Sequence, residues 1–381
     1  MEPIRYQTFL KDVLICSLGA YGGREAHYGV FTDQMVVKKK YLTEDEMVEL
    51  IALTGILPGP SSTQIIISIG YKMGGPLLVF LTLLVWALPA IVIMTFFSFL
   101  YFILARNQID TNLLRYIGPM AVGFITVAAN KLGLKVVKNP LTLLLFLSSM
   151  VITYYFSQAF IYPLVLILGG FFYTLFSKQK GMWHKINVSP PWRYFIAFAS
   201  IAIGLILLNI IFDHRILFLF ERFYRFGYLV IGSGQVVIPY MVTELVEVHQ
   251  YMTIDEFLTG YGLVQGIPGP MFSFSAYAGG MASRDLSTFG QVIGALISSL
   301  GIFLPGTLLI LFVYPIWEQL KVLKGIKVAL TGIVAVAGGL IAIKAFKLMQ
   351  DSGFTVDNII VMTVTVILLL TKKYLHQLLS S

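Results

Sequence analysis

The chain has 381 residues, 57% of them hydrophobic and 12% charged, with a mean hydropathy of +0.83 and a formal net charge of +8. So much apolar side chain exceeds what a soluble surface carries, which excludes a soluble globular domain and a disordered chain. The single cysteine, Cys16, excludes an intrachain disulfide framework.

The positive charge is read as topological, because cationic residues concentrate on cytoplasmic loops of membrane proteins, and no nucleic-acid partner is expected. The first twenty residues carry Glu2, Arg5, Lys11 and Asp12 and no uninterrupted apolar core, so no cleaved signal peptide is expected. A mostly apolar segment, Phe9 to Tyr21, leads into Gly22-Gly23-Arg24-Glu25-Ala26-His27. Glycines there permit close backbone approach, and Arg24 offers a permanent charge with planar donors suited to an oxyanion. Glu25 and His27, if embedded, are candidates for proton coupling; the plainer reading pairs Arg24 with Glu25 at an interface.

Lys38-Lys39-Lys40 then marks a cytoplasmic loop before Tyr41-Leu42-Thr43-Glu44-Asp45-Glu46 and, further on, Pro58-Gly59-Pro60. Proline removes a backbone donor and blocks helix continuation while glycine opens unusual backbone angles, so this triplet predicts two half-helices. Within a bilayer such a break is tolerated only where it is buried or lines a cavity. Ser61, Ser62, Thr63 and Gln64 open the second half-helix, whose N-terminus suits an anion. Simple capping is the plainer use of those hydroxyls. Lys72, at a span end, is read as reaching for the headgroups.

Spans follow at Pro76 to Leu104, about 116 to 130, Leu141 to Phe156, Ala159 to Phe176 and Tyr194 to Phe212, with basic loops at Lys131, Lys135 and Lys138 and over residues 177–193. The second half opens with Gly232-Ser233-Gly234-Gln235 as the counterpart of the first glycine cluster. Glu244 and Glu247 lie ahead of Val248-His249-Gln250, the stretch that corresponds to the three lysines. Tyr251-Met252-Thr253-Ile254-Asp255-Glu256 leads to Pro268-Gly269-Pro270, 210 residues after the first triplet, and eight of twenty positions agree between 41–60 and 251–270. Met271, Phe272, Ser273, Phe274 and Ser275 come next, then spans at Val292 to Trp317, Val328 to Ile343 and Asn358 to Leu370. His184, His214, His249 and His376 are read as surface residues.

These elements predict an all-α integral membrane protein built as an inverted-topology repeat, with broken or re-entrant helices at the Pro-Gly-Pro motifs. The expected division is an N-terminal repeat over 1–156, two connecting membrane helices with a basic linker over 157–214, and an inverted C-terminal repeat over 215–381. The Lys38–Lys40 loop, the 178–193 linker and the C-terminus are expected in the cytoplasm, with Lys321, Lys324, Lys327, Lys372 and Lys373 on the same side. The substrate site is expected at Pro58, Gly59, Pro60, Ser61, Ser62, Thr63, Gln64, Pro268, Gly269, Pro270, Ser273, Ser275, Gly22, Gly23 and Arg24, with Glu25, His27 and Glu244 for proton coupling. No metal ligand set, cofactor motif, nucleotide-binding loop or hydrolase motif is present, so no enzymatic activity is expected.

The sequence resembles the long-chain chromate ion transporters, in which two homologous halves are fused. The likeness runs through Tyr21-Gly22-Gly23 with Ala26-His27, Leu57-Pro58-Gly59-Pro60-Ser61-Ser62-Thr63-Gln64, Gly70-Tyr71-Lys72, Ile238-Pro239 and Ile267-Pro268-Gly269-Pro270. The resemblance implies chromate efflux across the cytoplasmic membrane, driven by the proton gradient or the membrane potential, with sulfate as the structural analogue. The partners it implies are an inorganic oxyanion and the lipid bilayer, with a homodimer left open. Two other readings stand beside it: a passive channel or a transporter of another solute on the same fold, and a membrane-embedded enzyme acting on phosphorylated lipid. The second of these would need a nucleophile or acidic metal ligands in the bilayer, for which only Glu25 and His27 are at hand.

Overall fold

The computed structural model describes residues 6–21, 23–106, 116–156, 161–177, 189–230, 237–320, 324–351, 353 and 355–379. Gly22, the Gly232-Ser233-Gly234-Gln235 counterpart, His184, Lys321 and the linker lysines Lys178, Lys180 and Lys185 lie outside the described residues, as do the side chains of Glu25, Lys131, Lys135, Lys324, Lys372, Lys373 and His376. Every regular element among the described residues is helical. In chain order these are α1 (Tyr6–Gly19), α2 (Arg24–Phe31) running on into a π-helical turn (Thr32–Lys38), α3 (Glu44–Ile56), α4 (Ser61–Arg106), α5 (Ile117–Val136), α6 (Pro140–Tyr155), α7 (Ile161–Phe176) and α8 (Trp192–Ile211). The second half continues with α9 (Arg215–Leu229), α10 (Val237–Val242) with a π-helical turn (Thr243–Val248), α11 (Ile254–Gln265), a 3-10 turn (Met271–Ser273), α12 (Phe274–Met281), α13 (Thr288–Val313), α14 (Trp317–Leu320), α15 (Lys324–Asp351) and α16 (Val356–Leu379).

Among the described residues five stretches are long and apolar enough to cross a bilayer: Ser61–Tyr101, Ile117–Leu134, Trp192–Ile211, Thr288–Ile316 and Lys327–Gln350, with shorter apolar helices at Pro140–Tyr155, Leu164–Phe176 and Val356–Thr371. The protein is an all-α, multi-pass membrane protein. The long α4 changes direction at Gly74 and Gly75, which leave helical geometry, and Pro76 restarts the helix where its missing N–H is harmless. Lys72, just before this kink, pairs with Glu46 of α3 at 2.6 Å. Its ammonium thus holds the Glu46 carboxyl below its ordinary value, with help from the backbone N–H of Thr43.

The duplication is visible in local chemistry. Thr43 and Glu46 form a reciprocal capping box at the start of α3, and Thr253 and Glu256 repeat the same pair of hydrogen bonds at the start of α11. Lys40 and Gln250, each following a π-helical turn, both take a positive φ, 53° and 50°.

The chain forms two compact units, and each draws on both halves of the sequence. Residues 1–103, 181–234 and 264–324 make the first, which contains both Pro-Gly-Pro breaks. Here α13 packs against α8, α9 and α12, brought close by small residues: Gly227 and Gly301 at the α9 contact, Gly279 and Gly294 at the α12 contact. The second unit comprises residues 104–180, 235–263 and 325–381, where α5 packs on α16 and α6 on α7. Gly169 and Gly170 of α7 lie against Gly332, Ile333 and Val336 of α15. Small residues are what permit such close helix contact in lipid, where apolar burial alone gives little drive for association.

The first unit is tied together at the breaks. Gly59 takes φ +133° and donates its N–H to the Val230 carbonyl at 2.7 Å; Gly269 takes φ +108° and donates to the Ala20 carbonyl at 2.9 Å. Ala20 follows α1 as Val230 follows α9, so each repeat's break is held by the other repeat's first helix. Neighbouring packing is reciprocal as well. A Cβ on Gly59 would come within 2.9 Å of Gly306 Cα, next to Pro305, and one on Gly269 within 2.8 Å of Ala90 Cβ, next to Pro89. Both positions therefore require glycine twice over, for backbone angle and for space.

Gly59→Ala and Gly269→Ala are each expected to lower stability by about 1–3 kcal/mol from backbone strain, with steric overlap adding to that. Gly204→Ala, in α8 with nothing within 4 Å of the added methyl, is expected to be neutral or to stabilise by up to about 1 kcal/mol. Thermal unfolding of the three variants in detergent checks this. An unchanged midpoint for Gly269→Ala would mean that the break is not the constraint described.

Candidate functional site

At the first break α3 ends at Ile56, Leu57 turns extended, and the chain passes through Pro58, Gly59 and Pro60 before α4 begins at Ser61. Ser61, Thr63 and Gln64 are buried, at 6%, 2% and 1% exposure, while Ser62 is half-buried. The Gln64 amide folds back over the break, its Nε2 donating to the Pro58 carbonyl at 2.7 Å and to the Gly306 carbonyl at 3.4 Å. Its Oε1 is buried and accepts from no group among the described residues. Thr63 Oγ1 accepts from the indole N–H of Trp86 at 3.1 Å. A hydroxyl that receives a hydrogen bond keeps its own proton to donate elsewhere, so the Trp86 contact favours Thr63 as a donor.

The second break has the same backbone and different side chains. Pro270 is extended and the 3-10 turn Met271–Ser273 precedes α12. Ser273 is fully buried, and its Oγ has no hydrogen-bond partner among the described residues. Ser275, in contrast, is engaged within the unit, donating to the Phe272 carbonyl at 2.7 Å and meeting Ser299 Oγ at 3.4 Å. Phe274 stands where the first repeat has Gln64.

The third predicted cluster joins these through two contacts. Ala20, two residues before Gly22, holds Gly269. His27 of α2 is buried at 2% exposure with its ring edge-on to Trp86, centroids 5.5 Å apart, and Phe31 packs on the same indole. The first unit thus connects His27, through Trp86, to Thr63. Gly23 takes φ +97° ahead of α2, and Arg24 at the start of α2 is half-buried with its guanidinium 5.8 Å from the Tyr28 ring. Glu244 belongs to the second unit. It is buried at 2% exposure and lies 3.5 Å from His249 Nε2, so neither the carboxylate nor the half-buried histidine is a free surface group.

Polar groups outside the expected site complete the picture. Asp12 of α1 is 2% exposed and accepts from Gln34 Nε2 at 3.0 Å and Tyr41 Oη at 2.6 Å, with Lys39 Nζ at 3.1 Å. Burial first and this hydrogen bond second push the Tyr41 phenol well above its usual range. An open cleft of ≈ 450 Å³ lies over the cluster, lined by Lys11, Lys39 and Gln7 among others. Glu221 of α9 is gripped by Arg222 and Arg225. In the second unit, buried Lys344 meets Glu247 at 2.5 Å, and Thr243 donates to the same carboxylate at 2.9 Å and bonds Tyr162 at 3.1 Å. Asp12 had a signal: it falls on the helical stripe Phe9, Val13, Cys16 that is buried in α1. Trp86 had none, because one tryptophan within a continuous apolar run looks like any other lipid or core residue.

Among the described residues no group of three or more potential metal ligands is assembled. The breaks instead offer hydroxyls, one amide and helix N-termini in a buried setting. Such a constellation hydrogen-bonds a small anion.

The Chromate transporter family matches the chain over residues 8–175 and over 217–379. The chain is 26% identical over 382 residues to an uncharacterized transporter of Methanocaldococcus jannaschii, covering 97% of this chain and 89% of that protein. It is 24% identical over 365 residues to a chromate transport protein of Pseudomonas aeruginosa (94% and 85% covered) and 23% over 362 residues to one of Cupriavidus metallidurans (94% and 86%). No solved structure matches. With the family matched along both halves and across most of its length, the chain belongs to the chromate transporter family.

Proposed function

We propose that this protein is a secondary active transporter that exports chromate, or a related oxyanion such as sulfate, across the cytoplasmic membrane, driven by the proton gradient or the membrane potential. The observation that carries the reading is the interlocked pair of breaks, with buried Ser61, Thr63 and Gln64 on the first turns of α4. An anion taken out of water needs hydrogen bonds in exchange, and the unpaired N–H groups and positive end of a helix supply them. With the interior negative, net outward movement of anionic charge is favoured by about 2.3 kcal/mol per charge per 100 mV. The names of the relatives in Pseudomonas aeruginosa and Cupriavidus metallidurans support chromate as the substrate.

The architecture under this reading is a pair of repeats, 1–156 and 215–381, inserted in opposite senses and joined by 157–214. Reciprocal contacts of the kind made by Gly59 and Gly269 are what a two-fold relation produces, since residue i of one copy meets j of the other and the reverse. Lys38-Lys39-Lys40 stand in one copy where the other has Val248-His249-Gln250, and that difference in cationic charge supports the two senses. Arg24, close in sequence to the Ala20 anchor, is the cationic contact. His27 and Glu244, with Glu25, are the groups assigned to proton coupling.

Purified protein in vesicles is expected to move radiolabelled chromate saturably under a proton gradient or an imposed potential; a linear, uncoupled flux would make it a channel, and no flux of chromate or sulfate would remove the substrate assignment. Thr63→Val deletes one donor to a charged ligand, about 1.5–3 kcal/mol, so the apparent affinity is expected to weaken roughly tenfold to a hundredfold. Arg24→Gln is expected to weaken transport while leaving the folded yield unchanged, and unchanged transport would take Arg24 out of the site. Because Cys16 is fully buried, single cysteines placed at Lys39 and Gln250 can be labelled against a quiet background. Opposite faces are expected, and labelling of both from one side would refute the inverted arrangement.

A further inference from the structure

We propose that the first break accepts the oxyanion in its singly protonated form, as a monoanion whose own hydroxyl donates to Gln64 Oε1. The inference rests on the oxyanion-transport reading and narrows its substrate to a class: tetrahedral oxyanions that still hold a proton near neutral pH.

The orientation of the Gln64 amide fixes the argument. Its Nε2 faces two carbonyl oxygens, Pro58 at 2.7 Å and Gly306 at 3.4 Å. Carbonyls only accept, so the amide nitrogen must occupy that side and Oε1 must occupy the other. Gln64 is 1% exposed, and no described residue donates to Oε1. A fully deprotonated oxyanion presents only lone pairs and would be repelled by this oxygen. A protonated one offers both what the hydroxyl of Thr63 wants, an acceptor, and what Oε1 wants, a donor.

Charge points the same way. Pro58, Gly59, Ser61, Thr63, Gln64, Trp86 and Gly306, the groups that form or touch the first break, carry no permanent charge. These groups are neutral and the one cation assigned to the site, Arg24, offsets a single charge; the cost of desolvating an ion rises with the square of its charge, so a monoanion costs about a quarter of a dianion of the same size. The second repeat has Phe274 at the equivalent position, so the buried amide acceptor occurs once in the pair of breaks and matches one proton. Among titratable groups, Pro58 and Gly59 of the break and Gly306 of α13 contribute none against Gln64; His27 on α2 is reached through Trp86 and Thr63.

The consequence is discrimination between anions of the same shape. Chromate takes up a proton near neutral pH, whereas sulfate and selenate do so only in strong acid. Equilibrium binding to the full chain in detergent, with no gradient imposed, compares dilute chromate with selenate across the neutral range. The chromate-to-selenate affinity ratio is expected to rise about tenfold for each unit of falling pH, the slope of one bound proton, and to level off below the point where chromate itself is protonated. His27→Gln is expected to keep that slope. Loss of that slope in His27→Gln would trace the bound proton to the histidine and overturn the inference. Gln64→Met is expected to flatten it, and a folded Gln64→Met protein that retained it would overturn the role of Oε1. Parallel profiles for both anions in the wild-type protein would trace the pH dependence to a protein group and overturn the inference without any variant. Binding of neither anion at any pH would remove the transport reading, and this inference with it.

Discussion

The first unit depends on two backbone hydrogen bonds in which each repeat's break is held by the other repeat. Gly59 gives its N–H to Val230 and Gly269 gives its own to Ala20. A broken helix frees backbone groups that lipid cannot satisfy, so a break survives in a membrane only if protein supplies partners. Here the partner of each break is the carbonyl just past the first helix of the other copy, a group that itself needs a donor. The duplication is therefore more than two similar halves in series. Neither break is completed by its own repeat, and the first unit accordingly mixes residues 1–103 with 181–234 and 264–324.

On this common backbone the two copies have diverged in what they present. The first break carries Ser61, Thr63 and Gln64, the indole donor of Trp86, and His27 behind it; the second carries Phe272 and Phe274 with Ser273 between them. Reciprocal packing restrains the backbone, since Gly59 faces Gly306 and Gly269 faces Ala90, and neither glycine has room for a side chain. Side chains beyond the break are under no such restraint.

Much of the fold was legible in the sequence because its signals are local. Apolar length gave the spans, Thr43-x-x-Glu46 and Thr253-x-x-Glu256 gave the helix starts, and the repeated Pro-Gly-Pro gave the breaks, all of which the structure contains at those positions. The candidate site was legible in its backbone and in Thr63, Gln64, Ser273 and His27. It was not legible in Trp86, whose use depends on which way one indole N–H points, nor in the way the compact units draw on both halves. Lys72 shows the limit from the other side: its position suggested reaching for headgroups, whereas it meets Glu46, 26 residues earlier in the chain. Buried charges such as Asp12 and Lys344 carry a weak sequence signal, one ionisable residue on an otherwise apolar stripe or run. Their partners, Gln34, Tyr41 and Lys39 for the one and Glu247 for the other, come from tertiary folding alone.

The central claim is that the oxyanion is held at the first of two interlocked breaks. Anomalous scattering at the chromium edge, from crystals of the protein grown with chromate, locates the metal without reference to any side chain. The account predicts a peak within hydrogen-bonding reach of residues 61–64. A single strong peak elsewhere, over the Asp12 and Lys39 cleft or against Lys344, with none at the break, would contradict it.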